Sequence, residues 1–144
     1  MSEAVSVPIY VPGRKVVCTT DDIALEFHSR GWFSPEPDRI WIDGVEGELK
    51  FMVRRPATSY TFAAEISPFA SPPPQSLELF FNYHRVEYFE IAKRGEISVE
   101  LPAEVFTLRT CIVRLHCRNA ISGTSVGIED PRRLGIALHS WVLT

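Results

Sequence analysis

The amino-acid sequence predicts an all-β domain built from short antiparallel strands, and three observations lead there. Runs with an apolar side chain at every second position recur along the chain, turn-forming residues separate them, and no long stretch carries a 3.6-residue apolar period. The length of 144 residues suits one domain over 1–144, with a core that removes roughly two-thirds of the unfolded surface from water. Hydrophobic residues make up 45% of the chain and charged residues 23%, a globular composition too apolar for a disordered polymer.

The elements follow in order. Pro8 and Pro12 make the first segment an edge strand at best. Strands are expected at 49–53 and 60–66, where Leu49, Phe51 and Val53, then Tyr60, Phe62, Ala64 and Ile66, fall on one face. Ile97, Val99 and Leu101 repeat the pattern at 96–101. The run 109–118 sets Cys111, Val113, Leu115 and Cys117 against an outer row containing Arg114, His116 and Arg118. Turns are expected at Asp43-Gly44, Ser71-Pro72-Pro73-Pro74, Asn82-Tyr83-His84-Arg85, Arg94-Gly95 and Ser122-Gly123-Thr124. Pro102 can open a single helical turn over 102–106. Alternation alone does not separate immunoglobulin-like, barrel and jelly-roll arrangements.

Charge and cysteine usage narrow the function classes. Fifteen basic and 18 acidic residues give a formal charge of −3 without a basic stripe, which argues against a nucleic-acid partner. No apolar run has bilayer length and the first residues lack a signal-peptide pattern. A chain without a membrane span, located in the cytoplasm, is the expectation. Cys18, Cys111 and Cys117 form an odd set without CxxC spacing, expected as buried free thiols. His28, His84, His116 and His139 are isolated, no GxSxG or phosphate loop occurs, and no pair of carboxylates is singled out as acid and base. Neither catalysis nor a cofactor is expected, and a structural calcium is left open.

Two segments break the alternation. The first, 31–44, gathers Trp32, Glu36, Arg39 and Trp41 with Pro35 and Pro37 and closes on Asp43-Gly44. An indole face packs on the C–H side of a sugar ring while carboxylate and guanidinium groups bond its hydroxyls, so this loop is a candidate glycan site. The second, 127–138, holds Asp130-Pro131-Arg132-Arg133. Consecutive strand residues point to opposite sides, so one arginine turns inward and needs a carboxylate, with Glu36 or Asp130 the natural partner. His84, at a hairpin tip beside Tyr83 and Arg85, is a further candidate contact for a ligand. The outer row of Arg114, His116 and Arg118 is suited to an acidic glycan or to water.

These segments carry a resemblance. Gly31-Trp32-x-x-Pro35-Glu36-Pro37, Trp41-x-Asp43-Gly44 and Asp130-Pro131-Arg132-Arg133-Leu134-Gly135-Ile136-x-Leu138 resemble the small jelly-roll domains attached to many bacterial glycosyltransferases and other cell-surface-polysaccharide enzymes. Leu79-Phe80-Phe81-Asn82 with Val86 is similar to the central hairpin of that family. The resemblance implies a two-sheet antiparallel β-sandwich of jelly-roll type, described in the family as carbohydrate-binding and without chemistry of its own. Its pattern maps onto Trp32, Glu36, Trp41, Asp130, Arg132 and Leu134-Gly135. The chain departs at Asp38-Arg39, where relatives often carry Trp-Gly, and at Phe33-Ser34, where they often carry Ser before an aromatic residue. The expected function is non-catalytic binding of a sugar, or positioning of a glycan substrate, beside a glycosyltransferase. The alternative is a structural domain that docks such an enzyme or forms a homo-oligomer through Met52, Phe80 and Ile112.

Overall fold

The computed structural model describes residues 7–20, 26–54, 59–70, 73–105 and 109–144. Met1 to Ser6, Ser71, Pro72 and Phe106 of the segments discussed above lie outside the described residues. Twelve strands are found among those described: β1 (Val16–Val17), β2 (His28–Arg30), β3 (Ile40–Trp41), β4 (Glu46–Met52), β5 (Ser59–Pro68), β6 (Gln75–Phe81), β7 (His84–Ile91), β8 (Gly95–Pro102), β9 (Thr110–His116), β10 (Ile121–Ser122), β11 (Arg133–Leu134) and β12 (Ile136–Leu143).

The strands form a two-sheet antiparallel β-sandwich of jelly-roll type. The first sheet runs β2-β4-β9-β6-β7, the second runs β1-β12-β5-β8 with β3 also on β12, and β10 pairs β11 in a small ribbon. β1 and β3 share one edge of β12, β1 at Trp141 and Ser140 and β3 at Ala137 and Leu138, while β5 takes the other edge. The expected turn after Pro102 is a single 3-10 turn at Ala103–Val105.

Period-2 burial explains the core. Leu49 and Phe51 on β4, Leu77, Leu79 and Phe81 on β6, Cys111, Val113 and Leu115 on β9, and Phe62, Ile66 and Leu138 across the gap are all buried. Cys18, Cys111 and Cys117 are free thiols in this interior, and burial pushes each up to about 12. The centre is aromatic: Tyr10 lies 5.1 Å from both Phe51 and Trp141, and Phe27 lies 5.6 Å from Tyr10. Burial of each such side chain contributes about 1.5 to 3 kcal/mol. Tyr10 comes from an irregular segment, and its hydroxyl accepts from the Leu143 amide at 2.9 Å. The first segment is therefore a strap whose aromatic ring fills the core, where only an edge strand was expected.

Two departures from regularity position side chains. A bulge in β12 between Leu138 and Ser140 inserts His139, turning its ring toward the loop before β3. The β6–β7 hairpin closes through Asn82 and Tyr83, at φ +46° and +70°, a two-residue turn of type I′. Asn82 locks it: its amide donates to Val105 O at 2.8 Å and its side-chain oxygen accepts from Ile112 N at 2.8 Å.

Candidate functional site

The loop between β2 and β3 and the turn before β11 meet at one end of the sandwich. The chain leaves β2 through Gly31 at φ +83°, where a Cβ would collide with the Glu46 carbonyl. Only glycine lets the loop cross β4 this closely. Trp32 then folds back over β4, donating from Nε1 to Glu48 O at 2.9 Å, with its ring against Gly47, where a Cβ would stand 2.8 Å from the indole. A glycine inside a strand marks such an approach. Trp32 is half-buried, packed on the core at one side, with its ring tilted 50° to the His28 ring at 4.3 Å. Residues 28–35 line an open cleft of about 310 Å³ here, with Trp32, Phe33 and His28 as its aromatic surface. Arg30 at its rim pairs with Glu48 at 3.2 Å.

Across the loop a clasp holds its far side. Arg132 donates to Asp130 at 2.8 Å and to Glu36 at 3.2 Å, and its guanidinium lies 5.2 Å over the Phe33 ring. The hydrogen bonds from Arg132 hold the Asp130 carboxyl below the usual carboxylate range. Arg133 points the other way and donates to Ala120 O at 3.0 Å, so the two arginines diverge as the alternation requires. Both carboxylates that the sequence offered to the inward arginine engage it.

Trp41 sits outside the second sheet in a satellite cluster with Leu134, Ala137, Phe33 and Phe69. It is 7% exposed, covered by Phe69 edge-on at 5.9 Å and by Arg39 at 5.8 Å. Arg39 is held by two 3.0 Å bonds to Asp38, and these keep the Asp38 carboxyl below its ordinary range. His139 donates from Nδ1 to Asp38 O at 2.8 Å, because a carbonyl only accepts; Nε2 therefore receives the Ser67 hydroxyl at 2.8 Å. Ser67 is 7% exposed and His139 4%, so the pair lies buried between the second sheet and the loop. The arrangement ties the loop to the second sheet.

Trp32, Glu36, Arg39, Trp41, Asp130 and Arg132 thus share one end of the molecule. His84 does not: its hairpin reaches toward Ile112, whereas the Trp32 loop borders Glu46, which pairs with His116 at the opposite end of β9. Sequence reasoning did not place His28 or Phe33 among the site residues, nor use Gly47. The signal for Gly47 was available as a glycine interrupting a strand.

No protein-family model matches the chain, and comparison with curated proteins yields no match. Solved structures do resemble it. A family GH115 4-O-methyl-α-glucuronidase with specificity for decorated arabinogalactans superposes with TM-score 0.59 and 9% identity over 100% of this chain, which spans 19% of that enzyme. A family 35 carbohydrate-binding module from Clostridium thermocellum gives TM-score 0.54 and 10% identity, covering 91% of this chain and 98% of that one. A family 36 carbohydrate-binding module in complex with calcium and xylotriose gives 0.53 and 8%, covering 91% and 99%.

Calcium can be tested against the residues present. Among the described residues no group of three or more His, Cys, Asp or Glu side chains could hold a metal ion. The two carboxylates that converge at this end, Glu36 and Asp130, are already bridged by a guanidinium. These residues do not fit a calcium ion, whose six to eight oxygen ligands they cannot supply. The chain has the two-sheet antiparallel β-sandwich fold of carbohydrate-binding modules.

Proposed function

We propose that the chain is a non-catalytic sugar-binding module whose ligand seats in the cleft over Trp32. The half-buried indole, held in place by Glu48 and Gly47 yet lining an open cleft with His28 and Phe33, is the observation that carries this reading. A sugar ring packs its C–H face on the indole, and Arg30 at the rim offers donors to hydroxyls. Trp41 offers little ring surface, so Trp32 is the residue on which binding turns. The cleft is shallow, which fits weak binding of a chain end or a single residue rather than deep enclosure.

The resemblance read from the sequence supports a place for this module beside a glycosyltransferase or another enzyme of surface-polysaccharide assembly, and the buried free thiols support a reducing compartment such as the cytoplasm. The test is titration calorimetry against a panel of mono- and oligosaccharides. Binding at millimolar concentration that Trp32→Ala abolishes and Trp41→Phe retains is expected; a folded protein that binds no sugar at that concentration overturns the reading.

A further inference from the structure

Two features that stand apart in the sequence meet in the fold. The hairpin tip at 82–85 and the cationic row of β9 converge on the outer face of the first sheet, two strands from Arg30 at the rim of the Trp32 cleft. We propose that this face is a second ligand surface, and that it takes a carboxylate-bearing glycan chain, a polymer of uronic acids.

The tip carries the first argument. The second position of a type I′ turn favours glycine, because φ is positive there. Tyr83 occupies it at φ +70° and is 73% exposed. A bulky side chain in this region is strained, and strain persists where the surrounding structure over-determines it. Both amide atoms of Asn82 supply that determination, holding the turn at Val105 and Ile112. The result is an aromatic ring displayed to solvent on a rigid mount.

Arg114 carries the second. Its guanidinium lies 5.0 Å over Phe80 and 5.6 Å over Tyr83. Its Nε is buried without an acceptor, and its Nη1 stands 3.9 Å from Glu46, which is also 3.6 Å from His116. The Arg114 guanidinium, a group with five donors, is therefore answered among the described residues only by this long ion pair with Glu46. Arg118 lies 6.0 Å over Tyr88 and has no carboxylate partner among the described residues. Of the other acids on this face, Glu48, directly across from Arg114, is taken by Arg30 at 3.2 Å and by the Ser29 hydroxyl at 2.7 Å, Glu78 is taken by Arg85 at 2.9 Å, and Glu90 is exposed on the edge strand β7.

Ring faces alternating with guanidinium groups that keep most of their donors open define the ligand chemistry. The planar fork of arginine matches a carboxylate, and the rings match the C–H faces of pyranoses. A neutral glycan would use the rings and leave the donors unpaired. Tyr83 and Tyr88 flank Arg114 and Arg118 along the face, so a chain rather than a single sugar meets both pairs.

The experiment is affinity electrophoresis of the whole chain in gels containing polygalacturonate or the same polymer after carboxyl reduction. Retardation by polygalacturonate, weakened by salt and absent with the reduced polymer, is expected. Arg114→Gln should weaken it about tenfold. Tyr83→Gly should weaken it several-fold while melting no lower than the parent, because glycine relaxes the turn; Trp32→Ala should leave it unchanged. No retardation of the parent, equal retardation by both polymers, or loss with Trp32→Ala alone overturns the proposal. So does a parent dimer in sedimentation that Tyr83→Gly converts to monomer, since a second copy would then occupy the face.

Discussion

Removing Arg132 should unfasten the loop that carries Trp32. Its guanidinium meets Asp130 at 2.8 Å, Glu36 at 3.2 Å and the Phe33 ring at 5.2 Å. The Asp130 carboxylate is open to solvent, so its pair with Arg132 is strongly screened, and the half-exposed pair with Glu36 contributes about 0.2 to 1 kcal/mol. The cation over Phe33 adds a contribution of about the same size. Arg132→Ala also leaves Glu36 and Asp130 facing one another without a counter-charge. A loss of about 1 kcal/mol follows from the Glu36 pair and the Phe33 contact, or about 2 to 4 °C in Tm for a chain of this size. Thermal unfolding followed by circular dichroism at pH 7 measures it, with Arg132→Lys recovering only part because an ammonium lacks the planar fork. The Asp130 carboxyl is held below its ordinary range by the hydrogen bonds from Arg132. Stability from that pair is therefore present above the unfolded carboxylate pKa and disappears as pH falls through the depressed folded value. The gap between parent and variant should close over that acid range. Calcium chloride should leave the parent unmoved, because Glu36 and Asp130 are already bridged by the guanidinium. A variant that melts within about 1 °C of the parent at pH 7, or a parent that gains stability from calcium, refutes the clasp.

Other predictions follow from single contacts. Burial pushes the His28 imidazole down to about 3, so the folded chain keeps it neutral while the unfolded chain takes a proton near 6.5. Stability should be complete above that pH and fall toward pH 3, by up to about 1.4 kcal/mol per unit; urea midpoints that fall as steeply in His28→Gln as in the parent contradict this. Gly47→Ala places a methyl group 2.8 Å from the Trp32 ring, so it should lower both Tm and sugar affinity, the latter read by calorimetry. The three thiols, with pKa values pushed up to about 12 by burial, should resist Ellman's reagent at pH 8 in the folded protein and react fully in urea. Rapid labelling of any of them without denaturant counts against the packing described.

The sandwich was legible where alternation reports facing directly. Cys111, Val113 and Leu115 on β9 and Phe62, Ala64 and Ile66 on β5 are buried as their spacing implies. Tyr10 was not legible, because a ring delivered from an irregular strap leaves no periodic trace. Trp41 was ambiguous for a related reason: β3 has two residues, too few for a pattern to say which faces inward, and Ile40 takes the core while Trp41 takes the outside. At the candidate site, divergence of Arg132 and Arg133 follows from strand geometry alone. That Glu36, 96 residues away, completes the clasp depends on loop placement, and the sequence could only require some carboxylate. The meeting of Tyr83 with Arg114 likewise depends on the register that sets Phe80 opposite Arg114, which no local pattern encodes.

The sharing of β12 between the two ends of the chain has a kinetic side. Val16 pairs with Trp141, and the Tyr10 hydroxyl bonds Leu143 across 133 positions. The second sheet therefore has no middle until β12 is present, and Tyr10, Phe27 and Phe62 lack the indole against which they pack. Loop-closure entropy must be paid before contacts of such separation reward it, which makes refolding a process of roughly milliseconds to seconds. On the ribosome, the first sheet can assemble its hairpins early, while the second waits with exposed apolar strands for Ile136 to Leu143. A chaperone that acts on this protein would meet it in that interval.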